Sequence, residues 1–490
     1  MLDLQDKDLL SIQQARNMVL QAREAQKIWA KASQEQVDRV CAAMADVAYA
    51  ASERLGRMAS EETGYGVPEH KKLKNEFASK FVWESIKDIK TVGVVRHDAK
   101  TKVYEIAWPM GIVAALTPST NPTSTVMNKV LISVKARNAI IVAPHPAAVN
   151  SCVETAELMA RAAEEAGAPK GLIHCMSQVS LQGTNELLSH KYTAVILATG
   201  GTPMVRAAHS KGKPAYGVGP GNVPAYVDRS ADLERAARYI VASKAFDYSV
   251  ICATEQAVIA DKPIASRLQQ LMENEGAHFM DAAQTQAMRE LLFRPDGGIN
   301  TDTVGRSAQV LAGMAGFQIP HSTRILVAKL NAVGREEPLS REKLTTVLGW
   351  YEADGWEAGC DRCIELIQFG GRGHSLMLHA TDEKVIMAFG LEKPVFRIGV
   401  NTMGTLGAIG LTTGVMPSMT LGSGGIGGSV TGDNITVYHL FNIKRLAYEI
   451  VAPPEEALRP GTTPAGPLFG PEPKNLEAIV QEVVSEILRA

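Results

Sequence analysis

The sequence predicts an α/β protein built from two doubly wound domains, with a small β element attached. Three observations carry that prediction. From Gly111 onward, short apolar runs alternate with stretches of helical period. The alternation occurs twice, in two separate series. A chain of 490 residues also exceeds what one ordinary hydrophobic core serves.

Apolar residues recur at helical spacing through QARNMVLQAREAQKIWA and VDRVCAAMADVAYAASERLGRMA, so the start of the chain is helical. Around VGVVRHDAKTKVYEIAWP the period changes to strand-like alternation, which predicts a hairpin over 92–108. The first α/β series then runs GIVAALTP, the helix TVMNKVLISVKARN, AIIVAPHP, the helix CVETAELMARAAEEAGAP, GLIHCMS, a short helix, TAVILATGG and a helix through VRAAHSKG. The second runs from LERAARYIVASKAF through TRILVAKL, the helix CDRCIELIQFGG and HSLMLHAT to VFRIGVN. Parallel doubly wound sheets bind ligands beyond the carboxyl ends of their strands, and the two domains meet just before Cys252.

The tail reads differently. Residues 452–473 carry seven prolines and three glycines, the composition of an extended linker. Over 474–490, Leu476, Ile479, Val480, Val483, Val484, Ile487 and Leu488 fall on one helical face, with Asn475 as N-cap.

Composition excludes several functions. Formal net charge is −2 with no basic block, so neither nucleic acid nor an anionic membrane is an expected partner. No apolar run reaches the ~18 residues of a membrane span, and MLDLQDKDLL lacks the pattern of a secretory signal. Six cysteines in so long a chain form no disulfide framework, which points to a reducing, cytoplasmic setting.

One cysteine stands apart. Cys252, in FDYSVICATEQAVI, lies between an apolar run and a small polar cluster. Cys41, Cys152 and Cys175 read as buried small hydrophobes, and Cys360 with Cys363 forms a lone CDRC pair, only half a tetrahedral zinc site. No metal is expected. In TPSTNPTSTVMNK, Asn121 follows a strand and precedes a helix. There it either caps the helix or aims an amide at a developing oxyanion. In ILATGGTPMV a strand runs into Gly200 and Gly201 at a helix start, which suits a phosphate group. LGSGGIGGS has the G-x-G-x-x-G spacing at Gly422, Gly424 and Gly427, but no β-α unit surrounds it. It reads as a turn packing near a site.

Taken together, SVICATEQAVI, TPSTNPTSTVMNKVLISVKARNAIIVAPHP, ILATGGTPMVRAAHSKGKPAYGVGPGNVP, REKLTTVLGWY and PSMTLGSGGIGGS resemble the CoA-acylating aldehyde dehydrogenases. The likeness extends to the acetaldehyde dehydrogenase half of the bifunctional aldehyde/alcohol dehydrogenases and covers about residues 5–450; the iron alcohol dehydrogenase half is absent. It implies an aldehyde-dehydrogenase-like fold with an NAD-binding domain at 1–91 and 109–228 and a catalytic domain at 229–431. It also implies an oligomerisation element from 92–108 and 432–451 and a dimer or tetramer.

Cys252 would be the nucleophile, with Asn121 and the Cys252 N–H holding the oxyanion, hydride passing to NAD and CoA taking the acyl group. Glu342 would bind the ribose beside the nicotinamide, though Thr346 stands where the family often has proline. Thr199, Gly200, Gly201 and Thr202 match the pyrophosphate turn, Pro144 and His145 the adenosine side; Thr117, Pro118 and Gly219 complete the cofactor set. Hydrolytic relatives place a glutamate in Glu-Leu-Gly-Gly-Lys. Here the segment is Val218-Gly219-Pro220-Gly221-Asn222, with no carboxylate to activate water, which favours CoA. His374, in GGRGHSLML, matches a histidine near the family's active site; it either assists proton transfer, its type having a pKa suited to neutral pH, or packs at the start of a strand.

The implied activity is oxidation of acetaldehyde or propionaldehyde by NAD and CoA. Sulfoacetaldehyde acylation, a hydrolytic aldehyde dehydrogenase and a non-redox cysteine acyltransferase are the alternatives. The linker and final helix resemble the peptides that carry enzymes into bacterial microcompartments, so a shell protein is an expected partner and the lumen an alternative location to the open cytoplasm. A helix docking onto its own oligomer fits the same pattern.

Overall fold

The computed structural model describes residues 6–458. Its fifteen strands, in chain order, are β1 Val94–Asp98, β2 Val103–Pro109, β3 Ile112–Thr117, β4 Ala139–Pro144, β5 Ile173–Cys175, β6 Thr193–Thr199, β7 Ala215–Val218, β8 Val223–Val227, β9 Glu255–Asp261, β10 Ala277–Phe279, β11 Ile325–Lys329, β12 Val347–Ala353, β13 Leu376–His379, β14 Ile398–Val400 and β15 Phe441–Ala447. They form a five-stranded sheet ordered β5-β4-β3-β6-β7, a seven-stranded sheet ordered β10-β11-β12-β9-β8-β13-β14, and a three-stranded sheet ordered β1-β2-β15.

Every recorded pairing in the two larger sheets is parallel. Parallel strands are covered on both faces, so they read as continuous apolar runs, and β3, β4 and β9 are buried along their whole length. The predicted α/β class with parallel doubly wound sheets is what the chain adopts.

Between β3 and β4 the helix Pro122–Lys135 is buried at every residue. Such a helix has neighbours all round rather than one apolar stripe. Its three lysine and asparagine side chains therefore need internal partners: Lys129 donates to the carbonyls of Leu116 (2.6 Å) and Leu197 (3.1 Å), and Asn128 accepts from Met419 N at 3.2 Å. Burial pulls Lys129 down to about 7. The N-terminal helices Lys7–Trp29 and Gln34–Ala50 face the same core through Val19, Trp29, Val40 and Met44, and the second opens with a Ser33/Gln36 capping box.

Of the described residues, 6–95 and 105–444 form one compact unit, which contains both parallel sheets. The second unit pairs 96–104 with 445–458. In it His97 stacks on Tyr104 with centroids 4.0 Å apart, and Tyr104 meets the edge of Tyr448. Among the described residues no helix is long and apolar enough to cross a membrane. The predicted helix over 474–490 and most of the predicted linker lie outside the described residues.

Candidate active site

The two parallel sheets present opposite ends to one cavity of about 240 Å³. From the five-stranded sheet come residues just past strand ends: 118–121 after β3, Thr199 to Gly201 at the end of β6, and Gly219 and Pro220 after β7. From the seven-stranded sheet come residues that precede strands: Cys252 before β9 and Glu342 before β12. Met419 and Leu421, beside the glycine-rich turn, add an apolar wall.

Cys252 is held by a strained approach. Asp247, Tyr248 and Ser249 have φ values of 48°, 49° and 70°, a left-handed run that each non-glycine residue adopts at a cost of about 1–3 kcal/mol. The Asp247 carboxylate offsets that cost. It accepts from Val67 N at 2.6 Å, from Lys71 Nζ at 3.2 Å and from Lys74 Nζ, while Asp247 N donates to His70 Nδ1 at 2.8 Å.

Burial, then the charge of Glu342, pushes the Cys252 thiol up to about 12. Arg397 and the backbone N–H groups of Cys252 and Ala253 oppose this. At neutral pH the resting sulfur is therefore protonated, and N–H groups already point to where negative charge would form.

Asn121 precedes the buried helix but makes no side-chain cap to it. Capping, the alternative reading of this residue, is not what it does. Its Nδ2 donates to the Val250 carbonyl at 2.9 Å and to Thr120 Oγ1 at 3.2 Å, and its Oδ1 accepts from Lys74 Nζ. The amide thus bridges the β3–helix turn and the segment that carries the sulfur.

Glu342 accepts from Gly221 N at 2.8 Å, and burial raises its carboxyl pKa. Gly221 is a tight point. A Cβ there would lie 1.8 Å from the Cys252 carbonyl oxygen and 3.3 Å from His374 Cε1. His374 thus stands behind Gly221 and does not line the cavity. It is 1% exposed, its Nε2 has no hydrogen-bond partner, and burial plus the nearby Arg397 cation lowers it to about 3. The expectation of a histidine titrating near neutral pH is corrected: desolvation keeps this imidazole neutral. Arg397 donates to the carbonyls of His374 (3.2 Å) and Gly422 (2.7 Å), tying the glycine-rich turn to the same wall.

The cofactor-type residues divide. Gly200 and Gly201 precede the helix Thr202–His209, whose N-terminus has no side-chain cap, so its N–H groups suit a pyrophosphate. A neighbouring cavity of about 350 Å³ is lined by Pro144, His145, Val179, Leu181, Leu188 and Met204, an apolar slot of the kind a flat base fills. His145 belongs to both cavities. Thr117 does not reach the cavity. It is fully buried, with its hydroxyl 3.5 Å from Cys152 Sγ.

Lys74, Asp247 and Arg397 were not among the residues singled out from the sequence. None carries a local signal: Lys74 and Asp247 are 173 residues apart in the chain.

A cysteine, an amide donor and an uncapped helix N-terminus around one cavity are the parts that could hold a substrate as a cysteine adduct beside a phosphate-bearing cofactor. The chain belongs to the aldehyde dehydrogenase family, in its acylating branch; the family profile matches residues 8–282. The aldehyde-alcohol dehydrogenase of Streptococcus pneumoniae is 41% identical over 401 residues, covering 80% of this chain and 45% of that protein. The chain thus spans about half the length of the aldehyde-alcohol dehydrogenases it matches. The crystal structure of an acetylating aldehyde dehydrogenase from Geobacillus thermoglucosidasius superimposes with a TM-score of 0.91 at 49% identity, covering 92% of this chain and 100% of that one. A propionaldehyde dehydrogenase from Rhodopseudomonas palustris, solved with bound CoA and an acylated cysteine, gives a TM-score of 0.80 at 26% identity, with 89% and 97% covered.

Proposed function

We propose that this chain oxidises a short aldehyde to its CoA thioester, consuming NAD+ and CoA and releasing acyl-CoA, NADH and a proton. The observation that carries the reading is the shared cavity of Cys252, the Asn121 amide and Glu342, with no carboxylate in the 218–222 turn.

Cys252 gives up its proton to solvent, the one proton released overall, as its sulfur bonds the aldehyde carbon. The carbonyl oxygen becomes an oxyanion, which the Asn121 Nδ2–H and the Cys252 N–H stabilise. A nicotinamide bound here would supply the hydride acceptor, and loss of hydride from the adduct would leave a thioester on Cys252. Gly200, Gly201 and the helix N-terminus after them would hold the cofactor phosphates, the slot beside Pro144 and His145 its base, and Glu342 its ribose. The thiol of CoA then attacks the thioester carbon, and Cys252 leaves. With no carboxylate in the 218–222 turn, nothing there activates water against the thioester.

The lining residues of the cavity include no lysine or arginine. A sulfonate or carboxylate tail would lack a counter-charge there, which supports acetaldehyde or propionaldehyde over sulfoacetaldehyde. NAD as the particular nicotinamide cofactor, a dimer or tetramer through 92–108 and 432–451, and delivery to a microcompartment shell by residues 474–490 belong to the same reading.

The test is NADH formation from acetaldehyde and propionaldehyde, with and without CoA. Strict CoA dependence is expected. CoA-independent acid formation would establish the hydrolytic alternative, and no NADH in either case would leave only a non-redox acyltransferase.

A further inference from the structure

The Asn121 amide is gripped from a side that the chemistry above does not use. Lys74, in the helix Pro68–Glu76, is 2% exposed and donates from Nζ to Asn121 Oδ1 and to Asp247 Oδ2. Lys74 Nζ meets the amide as a donor, so the amide atom it meets is the oxygen. At the other end Nδ2 donates to the Val250 carbonyl at 2.9 Å, and a carbonyl only accepts. Two independent partners therefore impose one orientation on the amide.

Of the two amide hydrogens, one is taken by Val250. The other points toward Thr120 Oγ1, 3.2 Å away on the cavity wall, a weak partner that an oxyanion displaces. An N–H donor on the amide oxygen also draws density from the nitrogen, which makes that hydrogen a stronger donor.

We propose that Lys74 is a positioning residue for the adduct chemistry: it orients and polarises the Asn121 amide so that the free N–H meets the oxyanion on Cys252. This rests on the oxyanion role given to Asn121 above. Lys71 is the built-in comparison. It is equally buried, on the same helix, and bonds the same Asp247, but its second bond goes to the Thr120 carbonyl at 3.0 Å, not to the amide.

The experiment is a pair of double-mutant cycles on the full chain. Lys74→Met, Lys71→Met and Asn121→Ala are made singly, and each lysine change is combined with Asn121→Ala. kcat and aldehyde KM are read from CoA-dependent NADH formation, and Tm from thermal unfolding. Lys74→Met is expected to lower kcat by about tenfold or more with KM within about threefold, and to lower it less than about twofold once Asn121 is alanine. Lys71→Met, acting through the loop alone, is expected to keep its full effect in the Asn121→Ala background. If Lys74→Met does not fold, Lys74→Leu, which also removes the donor, carries the same cycle.

Full kcat in the lysine variant, or an equal loss with and without Asn121, would overturn the proposal for Lys74 alone. Asn121→Ala with undiminished kcat is a different outcome, which removes the oxyanion reading together with the proposal. Wild-type protein forming no NADH removes the proposed function as a whole.

Discussion

Gly221→Ala tests the geometry of the site most directly. The added methyl would sit 1.8 Å from the Cys252 carbonyl oxygen and 2.9 Å from its carbonyl carbon, both backbone atoms. An ordinary contact is about 3.5 Å, so one of the two segments has to move by about 1.7 Å. The rest of the wall gives little relief, since His374 Cε1 is already 3.3 Å from the same point and Gly221 N is bonded to Glu342.

A displacement near 1 Å at a reacting group costs on the order of a hundredfold, whereas overpacking costs about 1–3 kcal/mol of stability. The expected result is a fall of about 100-fold or more in kcat, with a folded protein whose Tm drops by a few degrees. Gly425→Ala, where nothing lies within 4 Å of the new methyl, is the control and should leave both unchanged. CoA-dependent NADH formation and thermal unfolding provide the two readouts. Wild-type turnover in Gly221→Ala would refute the placement of the Cys252 backbone against this turn.

Glu342→Gln removes a charge that raises the Cys252 pKa, so the pH profile of Cys252 alkylation by iodoacetamide should move to lower pH; an unmoved or raised profile would contradict the electrostatics. His374 and His379 are held neutral by burial, at about 3 and about 4 against 6.5 in an unfolded chain. A depressed folded pKa means that the unfolded state binds protons first. Stability from each is complete above 6.5 and is lost, by up to about 1.4 kcal/mol per pH unit, as pH falls toward the folded value. Tm measured from pH 7 down to 4.5 should therefore fall less steeply in His379→Met than in the wild type. Deleting residues 453–490 is expected to preserve turnover and abolish co-localisation with shell proteins; unchanged co-localisation in cells would remove the targeting role.

How much was legible depended on sequence distance. AIIVAP and TAVILAT announce β4 and β6 because a strand covered on both faces has to be apolar throughout. β10 has three residues, too few for any period to register, whereas the equally short β5 and β14 showed through the apolar runs GLIHCMS and VFRIGVN. Cys252, Asn121 and the Gly200-Gly201 turn could be named because each sits beside a strand end in a recognisable local pattern. What positions them could not. Lys71 and Lys74 lie in EHKKLKNE, whose charge density resembles a solvated face, yet both are buried against a carboxylate from the other end of the α/β series. His374 shows the converse: a residue type poised for neutral pH whose surroundings take that titration away.

The four residues from Gly219 to Asn222 join the last strand of one parallel sheet to the first strand of the other. The same segment supplies the floor on which the sulfur's own carbonyl rests and the N–H that Glu342 grips. Any rocking of one half against its neighbour must bend at this joint, so opening the cavity to exchange ligands would also loosen the sulfur's seat. Ligand traffic and nucleophile alignment would then share a single mechanical element.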